Sequence, residues 1–356
     1  MNQVGKINFK KIQRISPSQF YSMKNCAYKS LLAEAMNKKA LLPVSANAYY
    51  GTVLHKMLEL ISKGAIRNEI DFNATFQEQI KLMEEKLVAD GYDFFVPLQK
   101  KVKDFIMKKI LLKDHLRNIS ERPARASNTK FNSEKWYESK DKLIGGKIDL
   151  VIESEQETEI LDFKTGAITQ DVLDDDGEVN SEVKAEYKEQ LKLYAYLYFE
   201  NIGRFPTQLS LVDLAKQKFT IDFSVNECKT IFEEAKLLLN STNNCIEKET
   251  FTANLTEVNC KYCLYRPACS FYLKHIETDN SFNDVSGLVQ NVVKFQNGNV
   301  SLYLESGDKI FTVSNLPSDK FDELNNRRNK KITVFNLKRE PREFFYSAIK
   351  TTIFYE

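Results

Sequence analysis

The sequence predicts an α/β protein with two domains, and four observations lead to this prediction. Amphipathic helical segments fill the first third of the chain, short β-rich runs follow from Lys130, and β-rich segments dominate after about residue 285. In addition, a chain of 356 residues is longer than one average domain. We expect residues 1–285 to form a mixed sheet flanked by helices. Residues 286–356 should form a small all-β, barrel-like domain of the OB type.

The N-terminal region begins with a helix signal at Ser16-Pro17-Ser18-Gln19, which is a capping box with proline at the first helical position. This signal predicts one helix that continues to Met36, with Cys26 near its middle. A second amphipathic helix is predicted from Ala48 to Lys63, and His55 lies on its polar face.

A helical insertion of about residues 65–128 is predicted next, with helices at 74–89 and 97–118. The second helix is rich in lysine, and Arg122 and Arg125 follow it. Such a basic face could follow a phosphate backbone, although a solvated helix face explains the same charges. The candidate DNA-binding residues of this face are Lys100, Lys101 and Lys108.

Two predicted neighbouring strands, at Leu143–Glu153 and Glu159–Phe163, carry Asp149 and Asp162. Lys164 follows Asp162 by two positions, so both side chains should point to the same face of the sheet. Two carboxylates from adjacent strands supply hard oxygen ligands for Mg²⁺ or Mn²⁺, and the histidine of the second helix could add a nitrogen ligand. A lysine beside them can stabilise developing charge or orient a water molecule. The set suits metal-assisted phosphodiester hydrolysis.

A later helix, predicted from Val183 to Glu200, places Gln190 and Tyr194 on one face. These two side chains could position a DNA phosphate or the catalytic lysine. Four nearby side chains are expected outside the site, as core aromatics or as solvated acids: Tyr187, Tyr198, Glu59 and Glu134.

These motifs, taken in chain order, resemble the RecB-like exonuclease branch of the PD-(D/E)XK nuclease superfamily over about residues 10–275. The motifs are Gly51-x3-His55, Gly146-x2-Asp149, Asp162-x-Lys164-Thr165-Gly166 and Gln190-x3-Tyr194. The resemblance implies a restriction-endonuclease-like core. It also implies that the histidine and both aspartates bind the metal, that the lysine is catalytic, and that the glutamine and tyrosine assist DNA binding.

The same resemblance implies a metal-dependent DNA exonuclease that acts on single-stranded ends, in DNA repair or recombination or in defence against foreign DNA. The alternative is a non-catalytic or partner-dependent DNA-binding subunit of a helicase–nuclease complex. The intact set of Asp149, Asp162 and Lys164 argues against this alternative, because a degenerate site would be expected to lose those residues.

Three of the six cysteines form the motif Cys260-x2-Cys263-x5-Cys269, and Cys26 lies far upstream. In a reducing compartment such clustering favours metal ligation, and four thiolates can hold either zinc or an iron–sulfur cluster. The spacing resembles the iron–sulfur staple of AddB-type helicase–nuclease subunits and of CRISPR-associated RecB-like exonucleases. This resemblance implies a 4Fe–4S cluster on these four cysteines, with Zn²⁺ as the alternative.

The formal net charge is only +2, so DNA would have to be held by local patches. The C-terminal segment interleaves aromatic with basic residues, and its candidate DNA-binding residues are Arg327, Arg328 and Lys331. It could stack on single-stranded bases or dock a helicase or another protein partner. The chain has no phosphate-loop motif, no apolar run of about 18 residues and no signal sequence, so we expect a cytoplasmic protein without a membrane partner.

Overall fold

The computed structural model describes residues 1–120, 130–173, 179–279 and 281–356, without the side chains of residues 117–120 and 173. Arg122, Arg125 and the end of the predicted insertion lie outside these ranges. The described helices are α1 (Pro17–Asn25), α2 (Ala27–Ala35), α3 (Ala46–Ser62), α4 (Glu69–Ala89), α5 (Phe105–Ser120), α6 (Ala185–Ile202), α7 (Val225–Glu247), α8 (Glu257–Lys261), α9 (Ser270–Thr278) and α10 (Lys320–Asn325). The described strands are β1 (Lys130–Glu138), β2 (Gly145–Glu153), β3 (Thr158–Lys164), β4 (Thr169–Leu173), β5 (Val179–Val183), β6 (Gln208–Asp213), β7 (Lys218–Thr220), β8 (Val285–Lys294), β9 (Val300–Ser306), β10 (Lys309–Leu316), β11 (Lys331–Arg339) and β12 (Phe345–Tyr355).

The chain divides into two compact units, each built from separate segments. The mixed-sheet unit comprises Ile12–Lys24 and Val44–Asn243. The barrel unit comprises Met1–Lys11, Asn25–Pro43 and Asn244–Glu356. The boundary predicted near residue 285 lies inside the barrel unit, at the start of β8, because this unit also contains the segments around the clustered cysteines.

The mixed-sheet unit contains a five-stranded sheet with the order β1-β2-β3-β6-β7. The β3–β6 pair is parallel and the other neighbouring pairs are antiparallel, so the predicted mixed sheet is confirmed. A parallel pair needs a long crossover, and the connection from β3 to β6 includes α6. Apolar side chains of α6 pack with those of the sheet in a core that includes Ile148, Ile160, Leu191, Leu197 and Leu209. This packing fixes the polar positions of α6 against β2 and β3.

Helices α3, α4 and α5 form a second core around Tyr50, Phe72 and Phe76. The single helix predicted over residues 97–118 is wrong at its beginning, because α5 starts only at Phe105. Asp104 has a left-handed φ of 58°, which an α-helix cannot continue through. The predicted DNA-binding residues 100 and 101 therefore precede the helix that carries Lys108. Across the described ranges, every helix is too short or too polar to cross a lipid bilayer.

The helix predicted from Pro17 to Met36 is also wrong, because it is broken into α1 and α2. Cys26 lies at the break with extended backbone angles, φ −156° and ψ 94°, and forms the N-cap of α2. The carbonyl of Asn25 accepts hydrogen bonds from the side-chain amides of Asn254 at 3.0 Å and Asn259 at 3.4 Å. These bonds satisfy a carbonyl that a continuous helix would have used internally.

The C-terminal part of the barrel unit is a closed five-stranded barrel with the order β10-β12-β11-β8-β9, so the predicted barrel is confirmed. The β10–β12 pair is parallel, and the other pairs are antiparallel. Helix α10 lies between β10 and β11 in the chain. The barrel interior is filled by apolar side chains such as Val289, Leu302, Phe311 and Val334. Closure of the sheet removes its unpaired edges.

Candidate active site

Asp149, Asp162 and Lys164 meet on the adjacent strands β2 and β3. Lys164 Nζ lies 2.8 Å from Asp162 Oδ2, as expected for side chains two positions apart on one strand. Asp162 is only 4% exposed. Asp149 Oδ2 accepts a hydrogen bond of 2.8 Å from the backbone N–H of Phe163, which joins the two strands where their pairing ends. The two carboxylates are therefore fixed by the sheet.

Helix α6 supplies Gln190, whose amide bridges the aspartate and the lysine of β3. Its Nε2 donates to Asp162 Oδ1 at 3.1 Å, and its Oε1 accepts from Lys164 Nζ at 2.9 Å. One helical turn later, the Tyr194 hydroxyl donates to the carbonyl of Lys147 on β2 at 3.0 Å. The side chains of Gln190 and Tyr194 are both buried. They therefore form hydrogen bonds with groups of the site rather than with solvent.

Two glycines allow the close approach that this arrangement needs. A Cβ at Gly146 would lie 2.8 Å from Pro17 Cδ and 3.0 Å from the Tyr194 ring. A Cβ at Gly51 on α3 would lie 3.2 Å from Thr165 Oγ1, just after β3. The glycines of the first two motifs therefore bring helices α1, α6 and α3 against the strands and the turn of the site.

His55 projects from α3 into a pocket of about 280 Å³ that it shares with Asp149, Glu134, Lys147 and Phe163. Desolvation within the pocket lowers the pKa of the imidazole, and the negative charge of Asp162 partly opposes this effect. A lowered pKa keeps the ring neutral near neutral pH, which is the form that ligates a metal.

The carboxylates of the site repel one another. Burial, and after it the neighbouring charge of Asp162, raise the pKa of Asp149 to about 7. Asp162 Oδ2 is buried and has no hydrogen-bond partner among the described residues, although the Lys164 ammonium faces it. Oxygen donors in mutual repulsion beside a neutral imidazole fit a hard divalent cation. Within the described ranges, no group of three or more His, Cys, Asp or Glu side chains is arranged so that it could hold a metal ion as the side chains stand.

Sequence reasoning missed two residues of this site. Glu134 was expected to be solvated, but its side chain is only 10% exposed and lines the pocket. Tyr187 was expected to be core, and its ring does pack against the core, yet the ring centre also lies 4.4 Å from Lys164 Nζ. Tyr187 precedes Gln190 by three positions on α6, so helical spacing does place it near the same face, but spacing alone does not separate a core ring from one at the site. Tyr198 is fully buried, as expected.

The four predicted metal-binding cysteines line one small cavity of about 20 Å³ in the barrel unit. Cys260, Cys263 and Cys269 are buried, Cys26 is half-buried, and none of the four forms a disulfide. Cys269 also caps α9, because its Sγ accepts from the N–H of Tyr272 at 3.4 Å. The break between α1 and α2 therefore places the remote cysteine beside the three that are close in sequence.

Burial raises the pKa of the thiols of Cys260, to about 11, and of Cys269, to about 12. It also raises the pKa of Cys263, and neighbouring cysteines contribute to the increase in all three. These three thiols resist ionisation, and a bound cation would be needed to convert them to thiolates, which fits a thiolate-binding metal centre. The remaining cysteines, Cys228 and Cys245, lie outside this cavity.

The candidate DNA-binding residues lie in different surroundings. Lys100 and Lys101 are exposed at the 3₁₀ turn before α5, and Lys108 is half-buried on α5. On the barrel unit, Arg327 Nε lies 2.8 Å from Glu356 Oε2, and Lys331 pairs with Glu277. Arg328 donates to the side chains of Asn291 and Asn325. Carboxylates thus neutralise two of the three barrel residues.

Comparison with known proteins gives one family and distant likenesses to solved structures. The model of the PD-(D/E)XK nuclease superfamily matches residues 14–270. The crystal structure of a "Putative exonuclease" from Eubacterium rectale is similar, with 10% sequence identity, a TM-score of 0.44, and coverage of 70% of this chain and 87% of that chain. We draw no conclusion from so distant a likeness. Among curated proteins, none matches the chain.

Proposed function

Because the chain belongs to the PD-(D/E)XK nuclease superfamily, we propose that it is a Mg²⁺- or Mn²⁺-dependent deoxyribonuclease of the RecB-like exonuclease branch. Membership makes the chain a nuclease, and hence a phosphodiesterase. The observation that carries metal-dependent catalysis is the buried Asp162–Lys164–Gln190 arrangement beside Asp149 and His55. Burying charged side chains costs free energy of folding, so a protein without catalytic activity would gain nothing from keeping this set.

His55, Asp149 and Asp162 are the residues that would hold the metal. When bound, it would polarise a phosphoryl oxygen and lower the pKa of a water molecule. The Lys164 ammonium, held between Asp162 and Gln190, can orient the attacking water or stabilise negative charge on the phosphoryl oxygens. We assign Gln190 and Tyr194 to positioning, because Gln190 fixes Lys164 and Tyr194 fixes the backbone beside Asp149.

A cleavage assay on end-labelled single-stranded, duplex and circular DNA with Mg²⁺ or Mn²⁺ tests this proposal. We expect the wild-type chain to degrade linear single-stranded DNA. Asp162→Ala and Lys164→Ala should each lower the rate at least about 100-fold, because each removes charge from the reacting centre. Lys218→Ala, which removes an exposed lysine from β7 of the same sheet, is the matched control and should cleave as the wild type does.

Three outcomes of this assay would change the proposal. Undiminished cleavage by both active-site variants would overturn the catalytic assignment. Tight DNA binding without cleavage under either metal would favour the DNA-binding subunit of a helicase–nuclease complex. Cleavage of circular DNA at the same rate as linear DNA would replace the exonuclease with an endonuclease.

The barrel unit supports single-stranded DNA as the substrate. The order β8-β9-β10-β12-β11, with α10 between β10 and β11, corresponds to the OB arrangement, in which the second and third strands and two adjoining loops contact oligonucleotides. On this face Tyr303 and Phe345 flank Thr312 across three paired strands, and the Arg342 guanidinium lies 4.0 Å from the centre of the Phe345 ring. Aromatic rings beside basic groups suit stacked single-stranded bases.

We further propose that Cys26, Cys260, Cys263 and Cys269 hold a 4Fe–4S cluster, with Zn²⁺ as the alternative. The support is their convergence on one cavity and the order of cysteines along the chain. The cluster would join segments more than 200 residues apart in sequence, and so would stabilise the barrel unit rather than take part in hydrolysis. Lys100, Lys101 and Lys108 remain candidates for contacts with the DNA backbone.

The cellular setting is also a proposal. We propose a cytoplasmic protein that acts in DNA repair or recombination, or in defence against foreign DNA, with a helicase supplied by another chain. The order of the active-site and cysteine motifs supports this setting. Copurification of a helicase with the tagged chain would support it, and full activity of the purified chain alone on duplex ends would make such a partner unnecessary.

A further inference from the structure

Glu134 occupies an unusual position in β1. The pairing of Ser133 with Leu150 and of Lys135 with Ile148 places Glu134 directly opposite Asp149. Its backbone has a left-handed φ of 58°, which is rare for a residue that is neither glycine, asparagine nor aspartate. Two carboxylates directly opposite each other in an antiparallel pair also repel. This position therefore carries both backbone strain and electrostatic strain.

The side chain of Glu134 is held inside the pocket rather than released to solvent. It is 10% exposed, and its Oε2 is buried without a hydrogen-bond partner among the described residues. Its charge is faced by the Lys147 ammonium, which extends from the position two before Asp149 on β2. Glu134 also lines the pocket that contains His55 and Asp149.

Lysine side chains form ion pairs with the acidic groups of this pocket. Lys147 faces Glu134 as Lys164 faces Asp162, and in both pairs the contacted carboxylate oxygen is buried without a hydrogen bond. Glu59, at another wall of the pocket, differs because Lys56 and Lys63 hydrogen-bond both of its oxygens. Glu134 and Asp162 thus each present a buried oxygen that is paired with a lysine ammonium, and a metal cation could take the place of that ammonium.

We infer that Glu134 is a further ligand of the divalent metal, beyond His55, Asp149 and Asp162, and this inference rests on the proposed metal-dependent function. Lys147 would then release Glu134 when the metal binds. This role would explain the strained backbone at Glu134, because that backbone conformation directs a third carboxylate towards the same cation.

Calorimetric titration of the metal-free full-length chain with Mn²⁺ tests this inference without relying on cleavage. Mn²⁺ is the suitable probe, because it prefers oxygen and imidazole ligands to the thiols of the cysteine site. We expect Glu134→Gln to raise the Kd for Mn²⁺ at least about 10-fold. Glu59→Gln removes the same charge from the same pocket and should leave the Kd within about 3-fold.

Glu134→Asp separates direct ligation from a distant charge effect. Aspartate adopts left-handed backbone angles more readily than glutamate, so this variant should fold. It keeps the charge but shortens the side chain, and direct ligation predicts a Kd about 3-fold or more above that of the wild type. Wild-type affinity in both Glu134 variants would overturn this inference alone. A wild-type chain that binds no Mn²⁺ would overturn the metal-dependent function as well.

Discussion

At the scale of one residue, the buried carboxyl of Asp149 lowers the stability of the folded protein when it ionises. Its pKa is raised to about 7 by burial and by the nearby Asp162, whereas an unfolded aspartate titrates near its ordinary value of 3.8. Below about pH 4 the carboxyl is protonated in both states. As the pH rises towards 7 the unfolded chain releases this proton before the folded chain does, so folding loses stability until the pH passes about 7.

Asp149→Asn should therefore stabilise the metal-free protein at high pH. The gain at pH 8 should be on the order of a few kcal/mol, because the folded pKa of about 7 lies well above the ordinary value and one pKa unit is worth about 1.4 kcal/mol. Urea unfolding in the presence of a chelator measures this difference, which should decline towards zero at pH 4. A gain that does not change with pH would contradict the electrostatic explanation.

The residues of the site differ in how far sequence could predict them. Asp162 and Lys164 are two positions apart on one strand, so their shared face follows from the alternation of side chains. Gln190 is likewise fixed by helical spacing relative to Tyr194. The burial of Glu134 could not be predicted in this way, because it depends on strand pairing and on a backbone angle that no local pattern specifies.

At the scale of elements, strands were predicted more accurately than helix ends. Strand β1 begins at Lys130, where the β-rich runs were predicted to start, because a β-rich run after a polar segment is a local signal. The break at Cys26 depends instead on side-chain amides more than 220 residues away, which no propensity encodes. The hairpin of β4 and β5 was not predicted, since its strands are short and largely polar.

Cys26 provides the test of the cysteine site at this scale. Cys26→Ser should lower the metal content per chain and the Tm, because a serine hydroxyl is a poor ligand for soft metals and the bound metal contributes directly to folding. Metal and sulfide analysis after anaerobic purification measures the first effect: iron with sulfide supports 4Fe–4S, and zinc alone supports the alternative. Cys245→Ser, on α7 of the same unit, is the matched control. Unchanged metal content in Cys26→Ser would contradict the assignment.

The outer face of β9, β10 and β12 allows a second prediction at this scale. Phe345→Ala should weaken binding of a single-stranded oligonucleotide at least about 5-fold, because one stacked base contributes about 1–3 kcal/mol. Fluorescence anisotropy in a chelator measures binding without cleavage. Tyr262→Ala removes an exposed aromatic side chain of the same unit and should bind as the wild type does. Equal losses in both variants would argue against a specific stacking face.

At the scale of the whole molecule, the net charge of +2 is the balance of 51 basic and 49 acidic side chains, and many of these charges pair locally in the fold. Arg327 faces Glu356 and Lys331 faces Glu277, so basic residues that appear clustered in the sequence are largely neutralised in the fold. In the active site, by contrast, Asp149 and Asp162 lie close enough to raise a pKa. The net charge of the sequence cannot distinguish paired basic residues from carboxylates that repel each other, because it carries no information on which side chains lie close together.

The barrel unit is held together by a buried ionic network that sequence reasoning did not predict. Arg266 Nε lies 2.5 Å from Asp284 Oδ2, and Arg266 Nη1 donates to the carbonyl of Cys263 at 2.9 Å. Asp284 also accepts from the hydroxyl of Tyr272 and from the backbone N–H of Asn336 in β11. The cysteine segment and the barrel therefore share one buried charge pair.

Asp284→Ala should destabilise this unit by about 3–5 kcal/mol, because it leaves the Arg266 guanidinium buried without a counter-charge. Hydrogen exchange of the full chain, followed by mass spectrometry, should show faster exchange in β8 and β11, where the lost bonds end. Asp279→Ala removes an exposed carboxylate five residues earlier and should leave these strands protected. If β8 and β11 stayed as protected as in the wild type, the barrel would not depend on the cysteine segment through this pair.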